Sequence, residues 1–230
     1  MNTSLKMDLK GQDFTYPTEL EKYEHSGVIG KFKDEWDVDT QEAKEIFEEM
    51  KKFLYISALA QKNCIEFEID EPILMIDKMW HHFIMFTLDY ENFCKSFFGK
   101  MLHHIPFCTE HLTQKIKELS SKGETLNEYK SRRLQRQLET IQEVFGTETV
   151  KKWYVDYSHR YSPERMNMLQ RSIYHGDLDR LGSPIDLETV KKSDAKELIQ
   201  GILRHQSQSM FCGGHGCGVY CSCNSGSLYS

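Results

Sequence analysis

Two histidine pairs and the carboxylate of Asp77 make residues 77–106 the stretch best suited to chemistry. His81 follows Asp77 by four residues, so the two side chains would be neighbours on a helix. A carboxylate beside an imidazole fixes the tautomer and leaves the other ring nitrogen free for a metal ion, a proton or a ligand. Asp77 and His81 are therefore the candidate acid–base pair. The alternative is a structural His81 that donates to a backbone carbonyl.

The other half of the first pair, His82, has Lys78 at the same spacing. A nearby ammonium group disfavours the imidazolium form of histidine. We therefore predict that His82 is a surface residue and not an acid or a base.

The second pair, His103-His104, stands just before Ile105-Pro106. Because the residue before a proline disfavours helical geometry, the pair is predicted at a helix C-terminus, where imidazoles interact well with the helix dipole. The sharper hypothesis is a metal site with nitrogen, oxygen and sulfur ligands of the kind that zinc or iron accepts. Its ligands would be His81, His103 or His104, with Asp77 or Cys94.

The C-terminal residues 207–230 are rich in glycine and cysteine. Five soft ligands lie within a few residues of one another: Cys212, His215, Cys217, Cys221 and Cys223. Zinc or copper(I) is the metal that such ligands favour. Two alternatives stay open, an unstructured tail without metal and a tail whose thiols are oxidised or enzymatically modified.

One pattern within this region resembles a known family. It reads Ile76-Asp77-x-x-Trp80-His81, followed by Tyr90, Cys94, Gly99 and His103-His104-x-Pro106. This pattern is similar to the core of the glycine-rich domain-containing protein-like family, in its short bacterial-type form, over roughly residues 40 to 110. The glycine-rich tail fits the family name. The resemblance implies a fold and very little mechanism.

Composition excludes several classes of protein. The chain has 230 residues, of which 39% are hydrophobic and 28% charged, with a formal net charge of -6. That charge argues against general nucleic-acid binding, which needs a basic face. The sequence has no apolar run long enough to span a membrane and no signal peptide at its start, so we expect no membrane partner and a cytoplasmic location.

Apolar periodicity predicts an all-α protein, with one compact domain of about six to eight helices. Asp39 and Glu42 form a capping box before a helix that should run to about Gln61, and its charged face is predicted to be solvated. Pro72 should open the central helix and Asp89 should cap the next one. Residues 65–70 alternate apolar and acidic side chains, but with no partner strand nearby they are predicted to be an extended connection.

The domain organisation follows from these elements. We predict a flexible lead-in over residues 1–16, a helical domain over 17–206 and a disordered tail over 207–230. Three functions remain open: a non-enzymatic metal-binding or interaction protein with a protein partner, a metal-dependent or acid–base enzyme centred on Asp77 and His81, and a carrier whose tail is modified.

Overall fold

A computed structural model describes residues 14–106, 108–171, 188, 192 and 194–201. This part of the chain is helical, with one isolated β-bridge and no strand, which confirms the all-α prediction. Its helices are α1 (Thr18–Glu21), α2 (Ser26–Glu35), α3 (Thr40–Lys62), α4 (Leu74–Met85), α5 (Thr87–Phe98), α6 (Thr109–Ser121), α7 (Leu126–Phe145), α8 (Thr147–Lys151), α9 (Tyr157–Arg160) and α10 (Pro163–Leu169). No helix in these ranges is long and apolar enough to cross a membrane.

The number of helices exceeds the predicted six to eight because some segments divide. From Thr147 to Arg160 the chain winds without a break, but a π-helical turn (Lys152–Asp156) separates α8 from α9. Residues 195–201 are also helical. The cysteine-rich tail and residues 1–13 lie outside the described residues, so the predicted domain boundaries stay predictions.

Helix α3 lies at the centre of the domain and packs against α2, α4 and α7. It begins at the predicted N-cap, where Asp39 Oδ1 accepts a hydrogen bond of 2.8 Å from the Glu42 backbone N–H. The predicted capping box is incomplete, because the Glu42 carboxylate accepts a hydrogen bond from the Tyr161 hydroxyl at 2.7 Å. The buried apolar side chains repeat at helical spacing. They include Ile46, Phe47, Met50, Phe53 and Leu54.

The prediction that the charged face of α3 is solvated is wrong for Glu49 and Lys51, which are 2% and 0% exposed. Lys51 Nζ donates to the backbone oxygens of Leu20, Glu21 and Tyr23 at 2.9, 2.6 and 2.7 Å. These carbonyls lie at the end of α1 and just after it, where the regular hydrogen bonds of the helix stop. The buried ammonium group therefore caps a neighbouring helix.

Glu49 ties α3 to the π-helical turn. Its Oε1 accepts a hydrogen bond from Lys152 Nζ and its Oε2 accepts one from Trp153 Nε1, each at 2.8 Å. Both donors are more than a hundred residues away in the sequence. Helical periodicity alone could not indicate this contact.

Helices α4 and α5 follow the predicted central stretch. Pro72 lies in a 3-10 turn that leads into α4, and the backbone leaves helical geometry at Phe86, with φ -84° and ψ 65°. The predicted cap Asp89 is wrong, because α5 begins at Thr87 and the Asp89 carboxylate instead lies 3.1 Å from His25 Nε2.

The end of α5 decides where the second histidine pair lies. Gly99 follows the helix with φ 74°, the left-handed conformation that glycine adopts most readily. His103 and His104 therefore lie several residues beyond the helix, in an irregular segment. Their predicted position in the last turn of a helix, and the dipole interaction expected there, are wrong.

Residues 65–70 form the predicted extended connection, and a side chain takes the place of a partner strand. The Gln137 amide of α7 accepts a hydrogen bond from the Glu68 backbone N–H and donates one to the Glu68 carbonyl, each at 2.9 Å. Gln137 is 0% exposed. A single amide therefore satisfies both backbone groups, as a neighbouring strand would.

The segment after α10 pairs with the end of α2 and the residue after it. Trp36, just after α2, forms the isolated antiparallel bridge with Gln170, just after α10. The Arg171 backbone N–H donates to the Glu35 carbonyl at 2.8 Å. The segment after α10 thus returns to the beginning of the domain.

Candidate metal centre

Asp77 of α4 is shared between two imidazoles. Its Oδ2 lies 3.2 Å from Nδ1 of His81, one turn later on the same helix. Its Oδ1 lies 2.8 Å from Nε2 of His104, which reaches the site from the segment after α5. The Asp77 side chain is 10% exposed, so this carboxylate lies beneath the two rings.

The contacts of each ring select its tautomer. His81 Nδ1 lies 2.7 Å from the backbone oxygen of Asp77, which can only accept, so Nδ1 carries the hydrogen. His104 Nε2 faces the Asp77 carboxylate, which is also an acceptor, so in the neutral ring Nε2 carries the hydrogen. His81 Nε2 and His104 Nδ1 are therefore the nitrogens with a free lone pair. The Asp77 backbone oxygen thus fixes the tautomer of His81, which is the contact that the structural alternative predicts, while the Asp77 carboxylate fixes the tautomer of His104.

Two buried aromatic side chains hold the segment that carries His104. Trp80 Nε1 donates to the Tyr90 hydroxyl at 2.9 Å, and that hydroxyl donates to the Leu102 carbonyl at 2.6 Å. The rings of His104 and Trp80 are 4.4 Å apart, centre to centre, and those of His104 and His81 are also 4.4 Å apart. Helices α4 and α5 together therefore fix the position of the second imidazole.

The arrangement has the composition of a mononuclear metal site. Asp77, His81 and His104 each offer one ligand atom, and these atoms all lie within 4.8 Å of one another. Two imidazoles and one carboxylate are a ligand set that zinc and iron(II) accept. The His81 side chain is 50% exposed, so an ion could enter from solvent.

Other predicted ligands do not join this group. His103 is exposed and lies outside the group, although it precedes His104. Cys94 is buried in the hydrophobic core, where burial raises the pKa of its thiol, and it is also outside the group. The tail ligands Cys212, His215, Cys217, Cys221 and Cys223 lie outside the described residues.

The prediction that His82 is a surface residue is wrong, since it is only 4% exposed. Its Nδ1 lies 2.7 Å from the Lys78 backbone oxygen, and its Nε2 lies 3.2 Å from Glu35 Oε2. Burial lowers the pKa of His82. The packing of α2 against α4 covers this histidine, and the spacing within α4 alone could not indicate it.

Trp80 and Tyr90 have a positioning role that sequence reasoning missed. Both belong to the family-like pattern, but no role was predicted for them. Their contact could have been predicted from side-chain chemistry, because a buried tryptophan or tyrosine usually needs a hydrogen-bond partner. Two such residues on successive apolar helices could have indicated a mutual contact.

The described residues define an all-α protein in which an aspartate and a histidine of α4 are grouped with a histidine from the segment after α5. Residues 18–172 match the family model UCP032817-like, and the chain belongs to that family. The matched region begins at α1 and ends just after the β-bridge that closes the domain. The name of this family does not mention a glycine-rich domain, and no function is assigned to the family. Membership of the family is therefore shown, whereas the glycine-rich name is not. No curated protein and no solved structure matches the chain.

Proposed function

We propose that this protein binds one divalent metal ion through Asp77, His81 and His104. The supporting observation is the grouping of three ligand atoms within 4.8 Å. The nitrogens that face the Asp77 carboxylate are His81 Nδ1 and His104 Nε2, so an ion held by these atoms would replace their present contacts with Asp77. The competing explanation is that Asp77 only anchors the segment after α5 to α4.

The ligand types favour particular metals. Nitrogen and oxygen ligands suit zinc or iron(II), whereas copper(I) prefers thiolates. We therefore propose zinc or iron(II) for the site on α4. Copper(I) stays a proposal for the tail alone, where it rests on the cysteines at 212–223.

An enzyme centred on Asp77 and His81 is the second candidate. The position of His81 favours it. One ring nitrogen, Nδ1, donates to the Asp77 backbone oxygen, and because the side chain is half exposed, the other ring nitrogen can face solvent. A general acid or base needs this access to a reacting group.

A carrier protein, by contrast, would show a mass change confined to residues 207–230 after expression in its native cell.

The test is elemental analysis by mass spectrometry of the full-length protein, purified without chelator or nickel affinity. His81→Ala and His104→Ala remove proposed ligands, and His103→Ala is the matched control because it removes an adjacent imidazole outside the group. A fourth variant replaces all four tail cysteines with serine. Circular dichroism checks that each variant is folded.

We expect about one equivalent of zinc or iron in the wild-type protein and in His103→Ala, with a loss of at least tenfold in the two ligand variants. Equal metal content in all three histidine variants would overturn the proposal. Metal lost only in the cysteine variant would move the site to the tail and leave Asp77 with an anchoring role.

A further inference from the structure

The proposed metal ion would keep open coordination positions. The described residues supply three ligands, whereas a structural zinc site is closed by four protein ligands and iron(II) commonly takes six. His81 is half exposed, so at least one open position faces solvent. Such a position accepts water or a further ligand.

Lys78 is the lysine of α4. It lies three residues before His81 on α4, which makes the two side chains neighbours on the helix surface. Lys78 is half-buried, and no carboxylate within the described ranges pairs with its ammonium group. Several other lysines of the helices do have such partners, among them Lys31, Lys52 and Lys95. The charge of Lys78 is therefore available to a ligand.

The charges around the site favour an anion. A divalent ion with neutral imidazoles, the Asp77 carboxylate and the Lys78 ammonium would leave a net charge of about +2. We infer that the open position binds a small oxyanion, a carboxylate or a phosphate group. One oxygen would coordinate the metal while another accepts a hydrogen bond from Lys78 Nζ. This inference rests on the proposed metal site.

Cobalt(II) tests the inference, since its visible spectrum changes when a ligand enters its coordination sphere. The full-length protein is loaded with cobalt(II) and titrated separately with acetate and with inorganic phosphate. Lys78→Met keeps the apolar stem and removes the charge. Lys130→Met on α7 is the control, because Lys130 is exposed and lies on another helix.

We expect the cobalt(II) spectrum to change and then level off as one of the two anions is added. The anion that binds more tightly identifies the class of ligand. Lys78→Met should weaken that anion roughly tenfold without changing the affinity for cobalt(II), while Lys130→Met should match the wild type. Failure to bind cobalt(II) would overturn the proposed metal site itself. Cobalt(II) binding with a spectrum that neither anion changes would overturn this inference alone, and equal anion affinity in Lys78→Met would exclude the role of Lys78.

Discussion

Asp77 acts on both imidazoles because a carboxylate has two acceptor oxygens. One oxygen faces His104 and the other faces His81, while the carboxylate itself is nearly buried. In the proposed metal site, this residue would orient the ligands or coordinate the ion only as long as both oxygens can accept. The proposed site therefore depends on one carboxylate.

Asp77→Asn tests that dependence. Its amide has one acceptor oxygen, so the side chain can no longer offer an acceptor to both imidazoles, whereas His81 Nδ1 keeps its hydrogen bond to the backbone oxygen of residue 77. We expect zinc to bind about 10 to 100 times more weakly, as measured by competition with a chromophoric chelator. Asp89→Asn is the matched control, because Asp89 also contacts a histidine, His25, outside the site. Equal zinc affinity in the wild type and Asp77→Asn would contradict this role.

Glu49 makes stability depend on pH. Burial tends to raise its pKa, but the charges of Lys52 and Lys152 and the hydrogen bonds from Lys152 and Trp153 outweigh burial and lower the pKa below 4.5. A carboxyl group whose pKa is lower in the folded state stabilises the protein above its unfolded pKa. This contribution is lost as pH falls through the folded pKa.

Glu49→Gln should therefore destabilise the protein by about 2 kcal/mol near neutral pH, because a charged acceptor becomes a neutral amide. Below about pH 4 the difference between variant and wild type should shrink. Urea unfolding at several pH values measures both effects. A difference that stays constant over this range would show that the ionised carboxylate contributes nothing.

For single helices, the sequence predicts where a helix begins when an N-cap residue stands directly before a helical repeat of apolar residues. Asp39 caps α3 as predicted, and α7 begins with a complete capping box between Thr125 and Glu128. The sequence does not predict contacts between residues that are far apart along the chain. Nothing in residues 65–70 indicates that Gln137 would satisfy their backbone, since this contact spans 69 residues.

Gln137→Leu tests the role of this amide. It would leave the Glu68 backbone groups without their partner and remove a hydrogen bond to Asp70. We expect a loss of roughly 2 to 4 kcal/mol in the free energy of unfolding, because buried polar groups lose their partners. Gln135→Leu, an exposed position on the same helix, should change it by less than about 0.5 kcal/mol. Equal effects of the two variants would contradict the strand-like role.

At the scale of the whole molecule, the fold class was predictable and the complete site was not. Periodicity within α4 placed Asp77 and His81 together, because that contact lies within one helical turn. His104 joins them across 27 residues through the Trp80–Tyr90–Leu102 contacts. Sequence alone could not choose between His103 and His104, since the choice depends on how the segment after α5 packs.

Metal binding should stabilise the entire domain, because the ligands come from α4 and from the segment after α5. At a zinc concentration 100 times its dissociation constant, the free energy of unfolding should rise by about 2.7 kcal/mol. Urea unfolding with and without zinc measures the change. The His103→Ala variant should gain as much as the wild type and His81→Ala should gain little. A gain of the same size in His81→Ala would place the bound zinc elsewhere.

X-ray absorption at the zinc edge, on full-length protein loaded with one equivalent of zinc, tests most directly whether the ion binds at Asp77, His81 and His104. We expect a first shell of nitrogen and oxygen at about 2.0 to 2.1 Å, with the multiple scattering of imidazole. Replacing His104 with alanine should reduce the imidazole signal. Sulfur at about 2.3 Å would contradict the account, because thiolate ligands would place the ion in the cysteine-rich tail instead of on α4.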